Sequence, residues 1–198
     1  PDGAPPDACW PHWLSEDSGC DVYLLEYDAS LSRWQNQAMP LPDQGDQVAS
    51  LLSVHPKLVE RQLVLIGHSM GGLAARAWLR TLAQPPAQRV HRILTLGTPH
   101  HGTWPARFSH TTNGMQMRLD SPWLQALAAS EGAAQRALFS CWYSDCDNIV
   151  YPTRSATLDG AENHLLHGLG HVHMVYAPQV RAACWQALQT GPGSAVSN

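Results

Sequence analysis

The sequence contains no basic run, and its formal net charge is −4 with a pI near 6.2. It therefore lacks the electrostatic footprint of a nucleic-acid binder. No apolar stretch approaches the roughly 18 residues of a membrane-spanning helix. Charged residues are scarce, at 14%, while 44% are hydrophobic. That balance supplies a core and excludes disorder as the main state. No CxxC pair and no zinc-ligand spacing links Cys9, Cys20, Cys141, Cys146 and Cys184. They read as free or partly buried thiols; in an oxidising compartment the expected pairings are Cys9–Cys20 or Cys141–Cys146. Pro1 to Asp7 carries neither the basic nor the apolar region of a secretory leader. No internal repeat or low-complexity linker divides residues 1–198, which read as a single domain.

What is present is an alternation of strand and helix signals. Residues 1–20 read as loop with a short helix over 10–15. Residues 22–27 predict a strand and 43–53 a helix with Val48, Leu51 and Leu52 on one face. The continuous apolar runs at 62–66 and 92–96 predict strands buried on both faces. The Ala- and Leu-rich stretch 71–82 predicts a helix. Residues 104–120 read as irregular, and 121–129 as a helix capped by Ser121 with Pro122 at its first position. Strands over 137–143 and 163–167 and a helix over 179–189 complete the order. This pattern predicts an α/β fold: a mostly parallel central sheet with helices on both faces. The excursion 104–136, with Trp104, Phe108, Met115, Met117, Trp123 and Leu124, is where a cap or lid is expected.

The chemistry is carried by Gly67-His68-Ser69-Met70-Gly71, a G-x-S-x-G pattern between a buried strand and a helix. A turn this tight needs small residues beside the serine, and it holds the hydroxyl on a sharp bend above the sheet edge. The Met70 N–H at the helix start is the expected first oxyanion donor. A serine hydroxyl needs a base, and the base an orienting carboxylate, in the chain order Ser, acid, His. Asp147, in the loop after strand 137–143, is the expected acid, with Asp145 as the weaker alternative; Asp159 reads as a turn residue. His171, at the tip of the Gly-rich loop 168–171, is the expected base among His164, His167, His171 and His173. A metal reading of His167, His171 and His173 lacks a suitably spaced carboxylate; no metal and no cofactor is expected. The Thr98-Pro99-His100-His101-Gly102-Thr103 loop follows strand 92–96 at the carboxyl edge of the sheet. His68, His100 and His101 are accordingly candidates to line a substrate pocket, or His100 and His101 simply belong to a structural turn.

These motifs resemble the α/β-hydrolase superfamily in its bacterial lipase and esterase branch. The carrying segments are Val64 to Leu73, Leu96 to Thr103, and Asp147 to His171. The resemblance implies the triad Ser69, Asp147 and His171, in agreement with the residues read by themselves. Earlier segments, Cys9 to Leu14 and Glu26 to Trp34, are similar instead to serine-active-site hydrolases linked to phospholipid remodelling. A mosaic joined near residues 67–73 is therefore one expectation. The resemblance also implies a His-Gly strand between the strands at 22–27 and 62–66, which would donate the second oxyanion N–H. The sequence has no such strand, so the fold is expected without its N-terminal strands and the second donor from outside this chain.

The function expected is hydrolysis of carboxylic esters, as in a lipase or esterase, through an acyl-enzyme. Acyl transfer, phospholipid remodelling, and an inactive N-terminally truncated fragment are the alternatives. The expected partners are an ester or lipid small molecule and, peripherally, a lipid surface. By resemblance, the expected location is secreted or periplasmic.

Overall fold

A computed structural model describes residues 21–25, 39–59 and 61–189, without the side chains of 187–189. The expected helix at 10–15 and the Cys9–Cys20 pairing lie outside the described residues. Four strands form one sheet in the order β1 (Leu63–His68), β2 (Val90–Leu96), β3 (Phe139–Ser144) and β4 (Glu162–Leu166). All three pairings are parallel. Parallel neighbours require crossovers, and the intervening helices supply them. In chain order, helix α1 (Leu41–Val54) comes ahead of β1, α2 (Met70–Leu79) between β1 and β2, α3 (Pro122–Ser130) between β2 and β3, and α4 (Pro178–Gln189) after β4. None of the described helices is long and apolar enough to cross a membrane.

The two faces of the sheet are distinguished by strand alternation. Ile93 on β2, with Phe139 and Cys141 on β3, packs against Val48 and Leu52 of α1 and Ala75, Trp78 and Leu79 of α2. Leu94 and Leu96, with Trp142, turn the other way onto Val180 and Cys184 of α4. The expected helices on both faces are thus in place. α1 lies tightly on α2 because Gly45 has no side chain: a Cβ there would come within 2.7 Å of Ala77. In the excursion, α3 is capped as expected, with Leu124 N–H donating to Ser121 Oγ at 3.2 Å. Leu124 and Leu127 pack on Leu41 of α1 and Leu73 of α2, so this part of the excursion closes the start of the elbow helix.

Two expectations need correction. Residues 21–25 form no strand, although Tyr23 and Leu25 pack against the core; a strand is held by a ladder partner, and β1 stands at one end of the described sheet beside no such neighbour. The stretch 104–120 is less irregular than expected. It contains a 3-10 turn, Trp104–Phe108, and a short helix, Thr112–Gln116, whose cap Thr111 accepts from Gly114 N–H. Pro105, Thr112 and Gly114 disguise these turns in the sequence. The cysteines follow the expectation of free thiols: Cys141 and Cys184 are buried and Cys146 is exposed, all three free, and the alternative Cys141–Cys146 pairing is not formed. Cys141 points into the core of the sheet while Cys146 lies on the loop beyond it.

Candidate active site

Ser69 lies where β1 passes into α2, with φ 54° and ψ −125°. A non-glycine residue rarely adopts this backbone, and such strain is characteristic of functional turns. Its N–H donates to Leu96 O at 2.9 Å, which ties the bend to the end of β2. The neighbours must be small: a Cβ on Gly67 would come within 2.6 Å of Gly72 N, and one on Gly72 would strike the Thr98 side chain. Met70 begins α2, so its N–H is among the amides with no partner inside the helix. Its sulfur receives Gln44 Nε2 and Asn113 Nδ2 at 3.6 and 3.5 Å, anchoring the helix start from α1 and the excursion.

The loops after β3 and β4 bring Asp147 and His171 together. His171 Nδ1 lies 2.8 Å from Asp147 Oδ2 and 3.1 Å from Oδ1. Asp147 Oδ1 also accepts from Ile149 and Val150 N–H, each at 2.8 Å. The two side chains are 6% and 2% exposed. Burial pushes the Asp147 carboxyl upward, but the bonds from His171 and from the two amides outweigh it and hold it below its ordinary value. With Nδ1–H donated to the carboxylate, His171 keeps Nε2 as its basic nitrogen. His68 packs against His171 with ring centroids 4.6 Å apart, and its Nε2 donates to His171 O at 3.2 Å. Burial and the neighbouring His171 lower the His68 pKa. Among the described residues, Ser69 Oγ and His171 make no hydrogen bond to each other; such a contact commonly tightens only with substrate in place.

The remaining candidates are placed elsewhere. Asp145 pairs with His167, not His171. Asp159 is exposed in a turn. His164 stacks on Trp142 with centroids 4.0 Å apart, and His173 opens a short helix, exposed. His101 is half-buried, its backbone bonded to Ser155 O and Asp120 N. His100 is 2% exposed and belongs to the core rather than to an open pocket wall. Its ring lies between Arg76 Nη1 at 3.4 Å and Thr95 Oγ1 at 3.1 Å. Arg76 in turn forms a two-pronged pair with Glu131, at 2.8 and 2.7 Å, with both side chains fully buried. Among the described residues no group of three or more His, Cys, Asp or Glu side chains could hold a metal ion. Among the described residues β1 stands at one end of the sheet with no strand on its outer side, and the second oxyanion donor is not placed.

One site residue was not anticipated. Gly97, directly after β2, has φ +54°, and a Cβ there would lie 3.0 Å from both Asp147 Oδ2 and His171 Nδ1 and 2.7 Å from Met174 Cε. It forms the floor under the acid–base pair. The only sequence signal was a glycine immediately after a buried strand.

Comparisons with known proteins now bear on this geometry. The model of the PGAP1-like alpha/beta domain family matches residues 35–158. Among curated proteins, zebrafish Protein SERAC1 is 32% identical over 114 residues, 51% of this chain and 17% of that protein. GPI inositol-deacylase of Candida albicans is 35% identical over 89 residues, 43% of this chain and 21% of that protein. The chain thus spans about a fifth or less of these relatives. Among solved structures, Aspergillus fumigatus lipase B superposes with a TM-score of 0.64 at 21% identity, over 78% of this chain and 43% of that one. The mature lipase BlEst2 of Bacillus licheniformis gives 0.61 at 15%, over 76% and 75%. These likenesses establish the α/β-hydrolase fold. The single family match runs through residues 67–73, where a mosaic join was expected.

Proposed function

We propose, for a chain that belongs to the PGAP1-like alpha/beta domain family, that Ser69, His171 and Asp147 hydrolyse a carboxylic ester of a lipid. The observation that carries this reading is the pairing of His171 Nδ1 with the buried Asp147 carboxylate, with His171 packed on His68, the neighbour in sequence of a serine held at φ 54°. His171 Nε2 takes the Ser69 proton as Oγ attacks the ester carbonyl. Asp147 keeps the imidazole in the required tautomer and stabilises the imidazolium. The Met70 N–H, at the positive end of α2, receives the developing oxyanion. His171 then protonates the departing alcohol, and water, activated by the same histidine, releases the acid.

Two features support a lipid rather than a small soluble ester. One relative is by name a deacylase of GPI inositol, so an acyl ester on a glycolipid is the substrate class we favour. The second is a set of exposed apolar residues in the segments 104–108, 149–151 and 172–176, the last two following closely on Asp147 and His171. Trp104, Phe108, Ile149, Tyr151, Val172 and Tyr176 are all exposed, and Trp104 and Tyr151 are joined through a backbone bond of 2.7 Å. Arg107 lies over both Trp104 and Phe108, at 4.5 and 4.7 Å. Aromatic rings with a cation among them suit the boundary between headgroups and acyl chains, which fits peripheral contact with a lipid surface.

The test is fluorophosphonate labelling of the chain together with p-nitrophenyl butyrate turnover, with Ser69→Ala as control. Labelling and turnover are both expected, and both are expected to vanish in Ser69→Ala with its fold intact. Turnover that survives Ser69→Ala would remove Ser69 as nucleophile.

A further inference from the structure

The loops after β3 and β4 are joined by more than the Asp147–His171 pair. Gly168 N–H donates to Asp145 Oδ1 at 2.8 Å, and His167 Nδ1 lies 2.6 Å from Asp145 Oδ2. Leu169 N–H donates to Ser144 Oγ at 3.2 Å. His171 N–H donates to Asn148 Oδ1 at 3.2 Å. Side chains of the first loop thus take up backbone amides of the second, on both sides of the acid. The Asp145–His167 pair itself is open to solvent and contributes little; the amide bonds are the fastening. They are needed because the second loop is intrinsically loose. Gly168 has φ +74° and Gly170 follows two residues later, so the free loop has many conformations to lose.

The structure assigns Asp145 the role of a positioning residue: with Ser144 and Asn148 it clasps the loop 167–171 so that His171 remains on Asp147. This rests on the proposed hydrolase reading. Asp145 acts through the loop and not on the substrate. The bond from Gly168 N–H, followed by His167, holds its carboxyl below the ordinary value.

The experiment compares Asp145→Ala and Asp145→Asn with the unaltered chain. Active sites are titrated with fluorophosphonate, kcat and KM for p-nitrophenyl butyrate are taken per titrated site, and hydrogen exchange is followed at the Gly168, Leu169 and His171 amides. Asp145→Ala is expected to lower kcat per site about tenfold at unchanged KM, because small misplacements of a catalytic group are costly. Exchange at the three amides should accelerate. Asp145→Asn, which retains an acceptor for Gly168 N–H, should recover most of the rate. A purely structural role would reduce the number of titrated sites and leave kcat per site unchanged, which would overturn the proposal. Unaltered kcat and exchange in Asp145→Ala would also overturn it and leave the hydrolase reading standing. Absence of Ser69-dependent turnover in the unaltered chain would sink the hydrolase reading. The clasp would then be decided by exchange: faster in Asp145→Ala supports it, unchanged overturns it.

Discussion

His100 and His171 are both buried, at 2% and 5% exposure, and both have Nδ1 facing a charged side chain. For His171 that neighbour is the Asp147 carboxylate at 2.8 Å. For His100 it is the Arg76 guanidinium at 3.4 Å, itself locked to Glu131. A carboxylate stabilises an imidazolium when one forms in a transition state. A guanidinium opposes it, and the His100 pKa lies well below its ordinary value, through burial first and Arg76 second. The same side chain therefore meets a carboxylate at the loop ends of β3 and β4, where the proposed chemistry needs a base, and packs against a cation of α2. Burial does not separate the two roles; the sign of the partner and its ability to exchange a proton do.

This contrast predicts that damage to the two regions appears in different measurements. Asp147→Asn should lower kcat by about 10⁴ by losing the required tautomer of His171, while the urea midpoint moves little. Asp145→Asn should fall far short of that loss. The reverse order in a kcat series would transfer the acid role to Asp145. Glu131→Gln should do the opposite. It leaves the fully buried Arg76 charge without its counter-ion, at a cost of about 3–5 kcal/mol, read as a shift in the denaturation midpoint. The rate per titrated active site should stay near that of the unaltered chain. A large drop in that rate would mean the buried pair also sets the elbow geometry.

Gly97 lies against the Asp147–His171 pair, and Gly97→Ala should appear in both the rate and the stability measurement. A Cβ there must displace Met174, Asp147 or His171, so kcat should fall about 10²-fold, the usual penalty of an ångström-scale misplacement. The left-handed backbone adds about 1–2 kcal/mol of instability. A rate unaffected by Gly97→Ala would show that the acid–base pair tolerates movement at its floor.

How far each region could be read from the sequence follows from the range of its interactions. The elbow was legible because strand, glycine, serine, glycine and helix are contiguous. The meeting of Asp147 and His171 was legible because each follows its own strand in a fixed order. The parallel sheet showed itself in continuous apolar runs such as 92–96, observed as Val90–Leu96. The Arg76–Glu131 pair was not legible: it joins residues 55 positions apart, and no local periodicity marks such a meeting. For the same reason His100 was read as a candidate pocket residue, since only the buried arginine behind it explains its place. Within the strand expected at 22–27, the described residues 22–25 form no strand, because apolar residues alone do not create a ladder partner.

The smallest predicted effect concerns pH. His100, His68 and His164 all have lowered pKa values, with burial the leading cause in each. A histidine whose folded pKa is depressed costs nothing above its unfolded pKa of about 6.5. Below that pH the unfolded chain binds a proton that the folded chain refuses, so stability is lost as pH falls toward the folded value. One such group contributes at most about 1.4 kcal/mol per pH unit. His100→Gln should therefore lower stability at pH 7 by about 1–3 kcal/mol, through its lost bonds to Arg76 and Thr95. It should also flatten the decline of stability between about pH 6.5 and 5. His164→Gln should flatten that decline less, because Glu162 raises the His164 pKa and offsets part of its burial. Denaturation midpoints at several pH values read both slopes. A decline as steep in His100→Gln as in the unaltered chain would mean that His100 takes up a proton in the folded state, and the contrast with His171 would lose its electrostatic basis.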